Sequence, residues 1–368
     1  MDDSTHSRKA VLKYAGAFVA WVIGSGFATG QEVLQFFTSY GYWSYGVVAV
    51  CLAGFLLLGE TLMTQGYAHR AESGFNQFQF YCGKKLGTFY GWLIPVTLVL
   101  LIAVLISGAG STFTEYYGVN HYIGSAIMAV SVLCSYLIGF ERLTKVVSMI
   151  GPVIIVFTLV VGSITVILDY ANFPAVSQYA SVLSRSQAAP HWTISAFLCA
   201  SLNFLSGSTY FTQLGITAQS RKGAKYGALL GAAALMLAIM IMNTAILLDA
   251  EHTALLDIPV LYLAKKLSYT FGAVFSIVLI LGMFCSCSAM MWSVCSRFSF
   301  GEKRGNRCFA VGVSMFTFVL GLFSFSQLVS VFYPLVGYLG LIYIGCVLYK
   351  RFRHREPPIN FYEKVKRF

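Results

Sequence analysis

Ile23-Gly24-Ser25-Gly26-Phe27-Ala28-Thr29-Gly30-Gln31-Glu32 stands at the centre of the first long apolar segment of this 368-residue chain. Three glycines, three hydrogen-bonding side chains and a carboxylate occupy positions where lipid would demand leucine and valine. Irregular backbone at membrane depth is tolerated only where protein covers it or a watery cavity meets it. A helix broken there reads first as a binding site, most often that of a transporter.

Composition places that segment in a membrane protein. Hydrophobic residues make up 57% of the chain and charged residues 11%, against roughly a quarter charged in soluble domains. Ten spans near the ~20 residues a bilayer needs are expected at about 11–37, 43–68, 86–116, 122–140, 146–168, 192–214, 226–248, 259–297, 308–325 and 327–349. The eighth is too long for one crossing, and its first part, to about Ser268, is expected as a separate short helix on the outer surface.

The net charge of +11 is a topology signal and gives no reason to expect nucleic acid. All but Arg185, Lys265 and Lys266 of the 25 lysines and arginines fall in the N-terminus, the C-terminus or alternate loops. Positive-inside bias puts both termini in the cytoplasm, consistent with an even number of spans. The first apolar segment is too long and too polar at its centre for a cleavable signal peptide. None of the nine cysteines falls in an expected outer loop, so no structural disulfide is expected. Cys285 and Cys287 are spaced wrongly to share a helix face as a metal pair and read as small packing residues.

Ten spans with both ends inside divide into two sets of five of opposite orientation. If these are inverted repeats, span six should be interrupted like span one. It carries Ser201-Leu202-Asn203-Phe204-Leu205-Ser206-Gly207-Ser208 near its middle. The competing reading is that small and hydroxyl residues let helices pack closely. The domain reading is a first five-helix repeat (1–168), an extracellular connection (169–190), a second, inverted five-helix repeat (191–349) and a basic cytoplasmic tail (350–368).

With these residues in view, the chain resembles the YkvI-type bacterial membrane proteins, most specifically from Ile23 to Glu32. It does so moderately around Asn203 and at Leu58-Gly59-Glu60. Those proteins are similar to the amino acid–polyamine–organocation superfamily. The resemblance implies an all-α, LeuT-like fold with discontinuous helices 1 and 6, a place in the bacterial plasma membrane and a transporter class, without naming a substrate.

Broken helices expose unpaired N–H and C=O groups. The N–H groups of Gly26 to Gly30 would suit a substrate carboxylate. The carbonyls of Ala20 to Ile23 would suit a cation, and those near Ala200 to Phe204 an ammonium group. A zwitterion matches both polarities. The expected substrate site is therefore Gly24, Ser25, Gly26, Phe27, Thr29, Ser201, Asn203, Phe204 and Ser206.

Glu32 is costly in hydrocarbon and should face protein or water. It is read as a proton carrier, an amine ligand or a gate, against a purely structural bond to backbone donors. For Glu60 the resemblance implies a structural role, holding unwound span-six backbone, with proton coupling as the rival. In sodium-coupled relatives hydroxyls of span eight hold the cation. Ser286 and Ser288 lie at that depth, but two apart, so only one should point inward. Phe27, Phe204 and Tyr210 would serve as walls and gates, although among 30 Phe and 22 Tyr packing is the default.

No Walker-type phosphate loop supports ATP-driven transport, and without a zinc or paired-aspartate catalytic set an enzyme is not expected. The leading expectation is a secondary transporter of a small amino acid or related metabolite, coupled to Na+ or H+, with no cofactor. The alternative is a membrane-embedded sensor that keeps the pocket without net transport.

Overall fold

The computed structural model describes residues 3–72, 74–138, 144–298 and 303–353, leaving aside the side chains of 3–7, 24–25, 144–151 and 303. Among these residues there is no strand. Most of the basic tail, Arg142 and the side chain of Lys145 lie outside the described residues.

Helix α1 (Asp3–Val22) runs into a π turn (Ile23–Phe27), bends at Gly30 and resumes as the short α2 (Gln31–Phe36). A 3-10 segment (Thr38–Trp43) leads into α3 (Ser44–Ala68), followed by α4 (Gln77–Tyr117), α5 (His121–Ile138) and α6 (Thr144–Asp169). The Asn76 side chain caps α4 through the N–H groups of Phe78 and Gln79, and Gly83 at φ 74° sets its first turn apart from the rest. A connection of 3-10 turns carrying α7 (Ala180–Leu183) leads to α8 (Trp192–Ser206) and α9 (Ser208–Ile216). The chain continues with α10 (Arg221–Leu248), α11 (Ala250–Thr253), α12 (Pro259–Leu267), α13 (Tyr269–Arg297), α14 (Lys303–Leu320) and α15 (Phe325–Arg353). The expected eighth segment is thus two helices, parted where Ser268 is extended at φ −165°.

Among the described residues, seven helical stretches, those holding α3, α4, α5, α6, α10, α13 and α15, are long and apolar enough to cross a bilayer. Outward faces of α5, α6 and α15 carry exposed Ile127, Val130, Val156, Val160, Leu335 and Ile342, apolar exposure that suits lipid. This is a multi-pass, all-helical membrane protein. Three of the ten expected segments are absent from that set for visible reasons. The first and sixth are interrupted, and α14 opens with Lys303, Arg304 and Arg307.

The helices pack as two groups. In one, α1, α3, α8, α9 and α10 adjoin one another; in the other, α4 and α5 pack with α13 and α14. Glycines fix the first group at backbone range. A Cβ on Gly227 would lie 2.6 Å from Tyr14 Cβ, and one on Gly231 2.8 Å from Phe18 Cβ. Gly66 of α3 and Gly215 of α9 each face a backbone carbonyl of the other helix, those of Thr212 and Met63. Helix α15 lies along both α8 and α4, spanning the groups.

The two ends differ in charge. At one, Glu60 of α3 pairs with Lys225 at 3.0 Å and Arg351 at 2.8 Å, while Lys350 donates to the Phe80 carbonyl. At the other, Lys266 bridges Asp169 and Asp249, each at 2.8 Å.

Candidate functional site

Where the first span is interrupted, a cavity of about 90 Å3 opens between the two groups. One water needs ~10–15 Å3, so there is room for a small solute. The first span contributes Trp21, Val22, Gly26 and Glu32, and α8 contributes Leu202, Asn203 and Ser206. Leu101 and Leu105 of α4, Ser286 and Met290 of α13 and Tyr333 of α15 close it.

The local sequence explains the first span's shape. Successive glycines weaken the α-helical ladder, and the chain widens into a π turn, a form that recurs at functional sites. A side chain on Gly26 would run into a carboxylate oxygen of Glu32 and sit 3.4 Å from the Tyr333 hydroxyl. Gly30 adopts φ 88°, a left-handed conformation that favours glycine. A Cβ there would also lie 2.7 Å from Val260. Glu32 follows on α2, 7% exposed. The Tyr333 hydroxyl lines the same pocket beside its carboxylate, and among the described residues no Lys, Arg or His lies at ion-pair distance. One turn further, Gln35 buries both amide atoms without a partner.

The backbone donors expected to receive a carboxylate are in part already engaged. Gly30 N–H donates to Phe27 O at 3.1 Å, and beyond the expected set Gln31 N–H donates to Thr29 Oγ1 at 3.3 Å. Thr29 itself donates to Gly26 O at 2.6 Å, so it braces the turn and does not line the cavity.

Span six breaks at Gly207, toward the C-terminal end of its polar cluster. Helix α8 continues through Ser206 and stops at Gly207. The carbonyl of Asn203 therefore accepts from Gly207 N–H at 2.9 Å and is not left open for an ammonium group. Asn203 Nδ2 donates to Cys199 O at 2.9 Å, and Ser206 Oγ donates to Leu202 O at 2.7 Å. Against this break lies Trp21, whose indole a Cβ on Gly207 would strike. Trp21 stacks on Tyr210 at 4.6 Å and 16°, and Tyr210 donates to Ala17 O at 3.0 Å. Those contacts join the N-terminal half of span one to α9.

Of the residues expected in the site, Gly26, Glu32, Asn203, Ser206 and Ser286 meet at the cavity. The others are placed elsewhere. Ser201 donates to Gly337 O of α15 at 2.6 Å. Phe204 packs in an aromatic cluster with Phe18, Phe55 and Phe211. Phe27 points toward α6 and α10, at a void of about 10 Å3. Ser288 accepts from Ser135 of α5 at 2.9 Å, so the inward hydroxyl of the pair is Ser286. Glu60 is held by Lys225 and Arg351 and makes no side-chain bond to span-six backbone among the described residues. Gly24 lies within the π turn, and the side chain of Ser25 lies outside the described residues. Trp21, Leu101, Leu105, Met290 and Tyr333 escaped the sequence reading, since apolar and aromatic residues are everywhere in the spans.

No protein-family model matches the chain. It is similar along nearly its whole length to a protein of Bacillus subtilis (strain 168). That relative is the uncharacterized membrane protein YkvI, with 25% identity over 355 residues, 95% of this chain and 99% of the relative. The uncharacterized protein YyaD of the same organism is 21% identical over 340 residues, 92% of this chain and 96% of that one. Among solved structures, a manganese transporter of Eremococcus coleocola, in complex with an aromatic bis-isothiourea substituted compound, superposes with a TM-score of 0.47 at 13% identity. The match covers 94% of this chain and 73% of that one. A mutant of the same transporter gives 0.46 at 12%, covering 96% and 74%.

Proposed function

We propose that this chain is a secondary active transporter of the bacterial plasma membrane. Its cargo is a small amino acid or a related metabolite, moved by alternating access around spans one and six. Both termini lie in the cytoplasm in this reading. The two sets, α1/α2 to α6 and α8/α9 to α15, are inverted repeats of the LeuT-like kind, each opening with an interrupted helix. One observation carries the reading: the interruptions of both spans flank a single cavity that also holds a buried carboxylate. A protein that only packed its helices would have no reason to keep Glu32 there without a cation.

The groups lining the cavity support a division of labour. Glu32 and Asn203 contact the substrate, and Ser286 is the candidate ligand for a coupling Na+. Proton coupling would use Glu32 in its place. The Trp21–Tyr210 stack closes one side.

The test is uptake of a labelled amino-acid and amine mixture by proteoliposomes under an inward Na+ gradient, an inward proton gradient, or neither. Gradient-dependent accumulation is the expected result and names the coupling ion. Saturable binding with no accumulation under any gradient would replace the transporter with a sensor.

A further inference from the structure

We infer that the basic end of the molecule carries a binding site for an anionic phospholipid, on the outward edge where α4, α13 and α14 meet. The site lies apart from the cavity and does not depend on what the cavity carries.

Two stripes of side chains define it. On α4, Lys85, Phe89, Trp92 and Val96 follow one another at helical spacing, and all four are exposed. On α14, Arg304, Arg307, Val311 and Met315 repeat the order, basic near the helix start and apolar beyond it, again all exposed. Aromatic rings hold the stripes side by side. Trp92 lies 5.9 Å from Phe298, just past the end of α13, and Phe298 lies 5.3 Å from Phe309 of α14. Arg297, the last residue of α13, places its guanidinium 5.9 Å from the centre of the Trp92 ring. Its Nη2 lies 3.6 Å from where a Cβ on Gly91 would stand, so the arginine rests against α4.

These charges are not spent inside the protein. Among the described residues no carboxylate lies at ion-pair distance from Lys84, Lys85, Arg297, Arg304 or Arg307. Glu302 is the one acidic residue in the sequence between Arg297 and Arg307, and it lies outside the described residues. Lys84 and Lys85 directly follow the break at Gly83, and Arg304 stands in the first turn of α14. Each therefore adds positive charge where the helix dipole is already positive. An anion lying between the two helix starts is favoured by both. Positive-inside bias accounts for basic residues at this end, but not for their alignment above exposed rings.

A phospholipid is the anion that matches the whole surface. Its phosphodiester accepts paired hydrogen bonds from a guanidinium and point-charge contacts from lysines. Its acyl chains need an apolar bed, which Trp92, Val96, Val311 and Met315 supply directly beyond the charges. Tryptophan at headgroup level and basic residues gathered between helices both favour such a ligand.

The test uses the full-length protein in phosphatidylcholine nanodiscs. A rising fraction of the lipid is replaced by phosphatidylglycerol with brominated acyl chains, or by brominated phosphatidylcholine as the neutral comparison. The signal is the tryptophan quenching that is lost in Trp92→Phe. It is expected to saturate at a lower fraction of phosphatidylglycerol than of phosphatidylcholine. Arg297→Gln and Lys85→Gln should each raise the fraction needed by about fivefold, the value of one basic residue near an anionic surface. Lys85→Gln alters only an exposed side chain, so it carries the test if Arg297→Gln fails to fold. Arg221→Gln and Lys222→Gln, at the start of α10 at the same end, should change nothing.

Equal dependence on the two lipids would overturn the site. So would an equal shift from the Arg221 and Lys222 variants, which would reduce the effect to diffuse attraction between a basic end and an anionic bilayer. Displacement of the quenching lipid by glycerol phosphate at matching concentration would overturn it in favour of a soluble phosphate ester.

Discussion

Glu32 and Glu60 are carboxylates set in apolar helices, and their surroundings divide them. Glu60 lies between Lys225 and Arg351, near the basic end of the molecule. Glu32 lies in the interior with a tyrosine hydroxyl for company and a cavity in front of it. An ion pair that ties three helices is explained by the fold alone. A buried carboxylate without a cation is not, because burial costs several kcal/mol per ion unless something offsets it. The partner of Glu60 belongs to the chain, whereas that of Glu32 has to arrive.

The sharpest way to break this contrast is Gly26→Leu. The new side chain would occupy the space of the Glu32 carboxylate, so ligand binding should be abolished while membrane insertion and expression stay near wild type. Calorimetry and size-exclusion profiles measure the two outcomes, and retained binding would remove Glu32 from the ligand site.

Next in size is the pair of charge removals. Glu60→Gln should destabilise the protein by about 1–3 kcal/mol, since two cations lose a charged partner. Glu32→Gln should leave stability unchanged or raised, because it removes an uncompensated buried charge. Denaturant unfolding in one detergent compares them directly, and equal losses would erase the distinction between the two carboxylates.

Smaller again is the serine pair. Ser286→Ala should weaken Na+ dependence of uptake several-fold if sodium is the coupling ion. Ser288→Ala should not alter it, since that hydroxyl is committed to Ser135. Sodium titration of transport in both variants decides the matter.

The smallest effect is expected at the opposite end. Partial burial works against the charge of Lys266, but Asp169 and Asp249 outweigh it and hold its pKa above the ordinary 10.5. A raised pKa means that the clamp's contribution is complete below 10.5 and is lost as pH climbs through the higher folded value. For so exposed an ion pair it should stay below about 1 kcal/mol. The melting difference between wild type and Lys266→Met should therefore be constant from pH 7 to 9 and shrink above it.

Much of the fold was legible in the chain because it turns on coarse signals. Glycine and carboxylate stand out against leucine, and Ser268 falls at the predicted division of the eighth segment. The site was half legible. In span six the polar cluster does contain the break, but the helix persists through Asn203 to Gly207, so helical phase decides which residues face inward. Leu202, Asn203 and Ser206 share one stripe, while Ser201 and Phe204 are turned toward α15 and the aromatic cluster. Tyr333 and Trp21 carried no signal, because in a chain rich in aromatic residues only tertiary contact separates a functional ring from a packing one. Glu60 shows the reverse failure: its role depends on Lys225 and Arg351, which are remote in sequence.

The glycine contacts between α3 and α9 have a mechanical consequence. At Gly66 and Gly215 backbone meets backbone, with no side chain between that could change rotamer to let one helix slide past the other. Where α10 presents Gly227 and Gly231 to α1, the contact is with Tyr14 and Phe18 at their Cβ atoms, which no rotamer change can move. Such seams transmit displacement without slack, so these helices travel together, as plates bolted face to face do. Toward α4 and α13 the first group instead faces Leu101, Leu105 and Met290 across the cavity, side chains that can change rotamer. The cavity occupies that boundary, which makes its volume the coordinate most sensitive to any tilt of one group against the other.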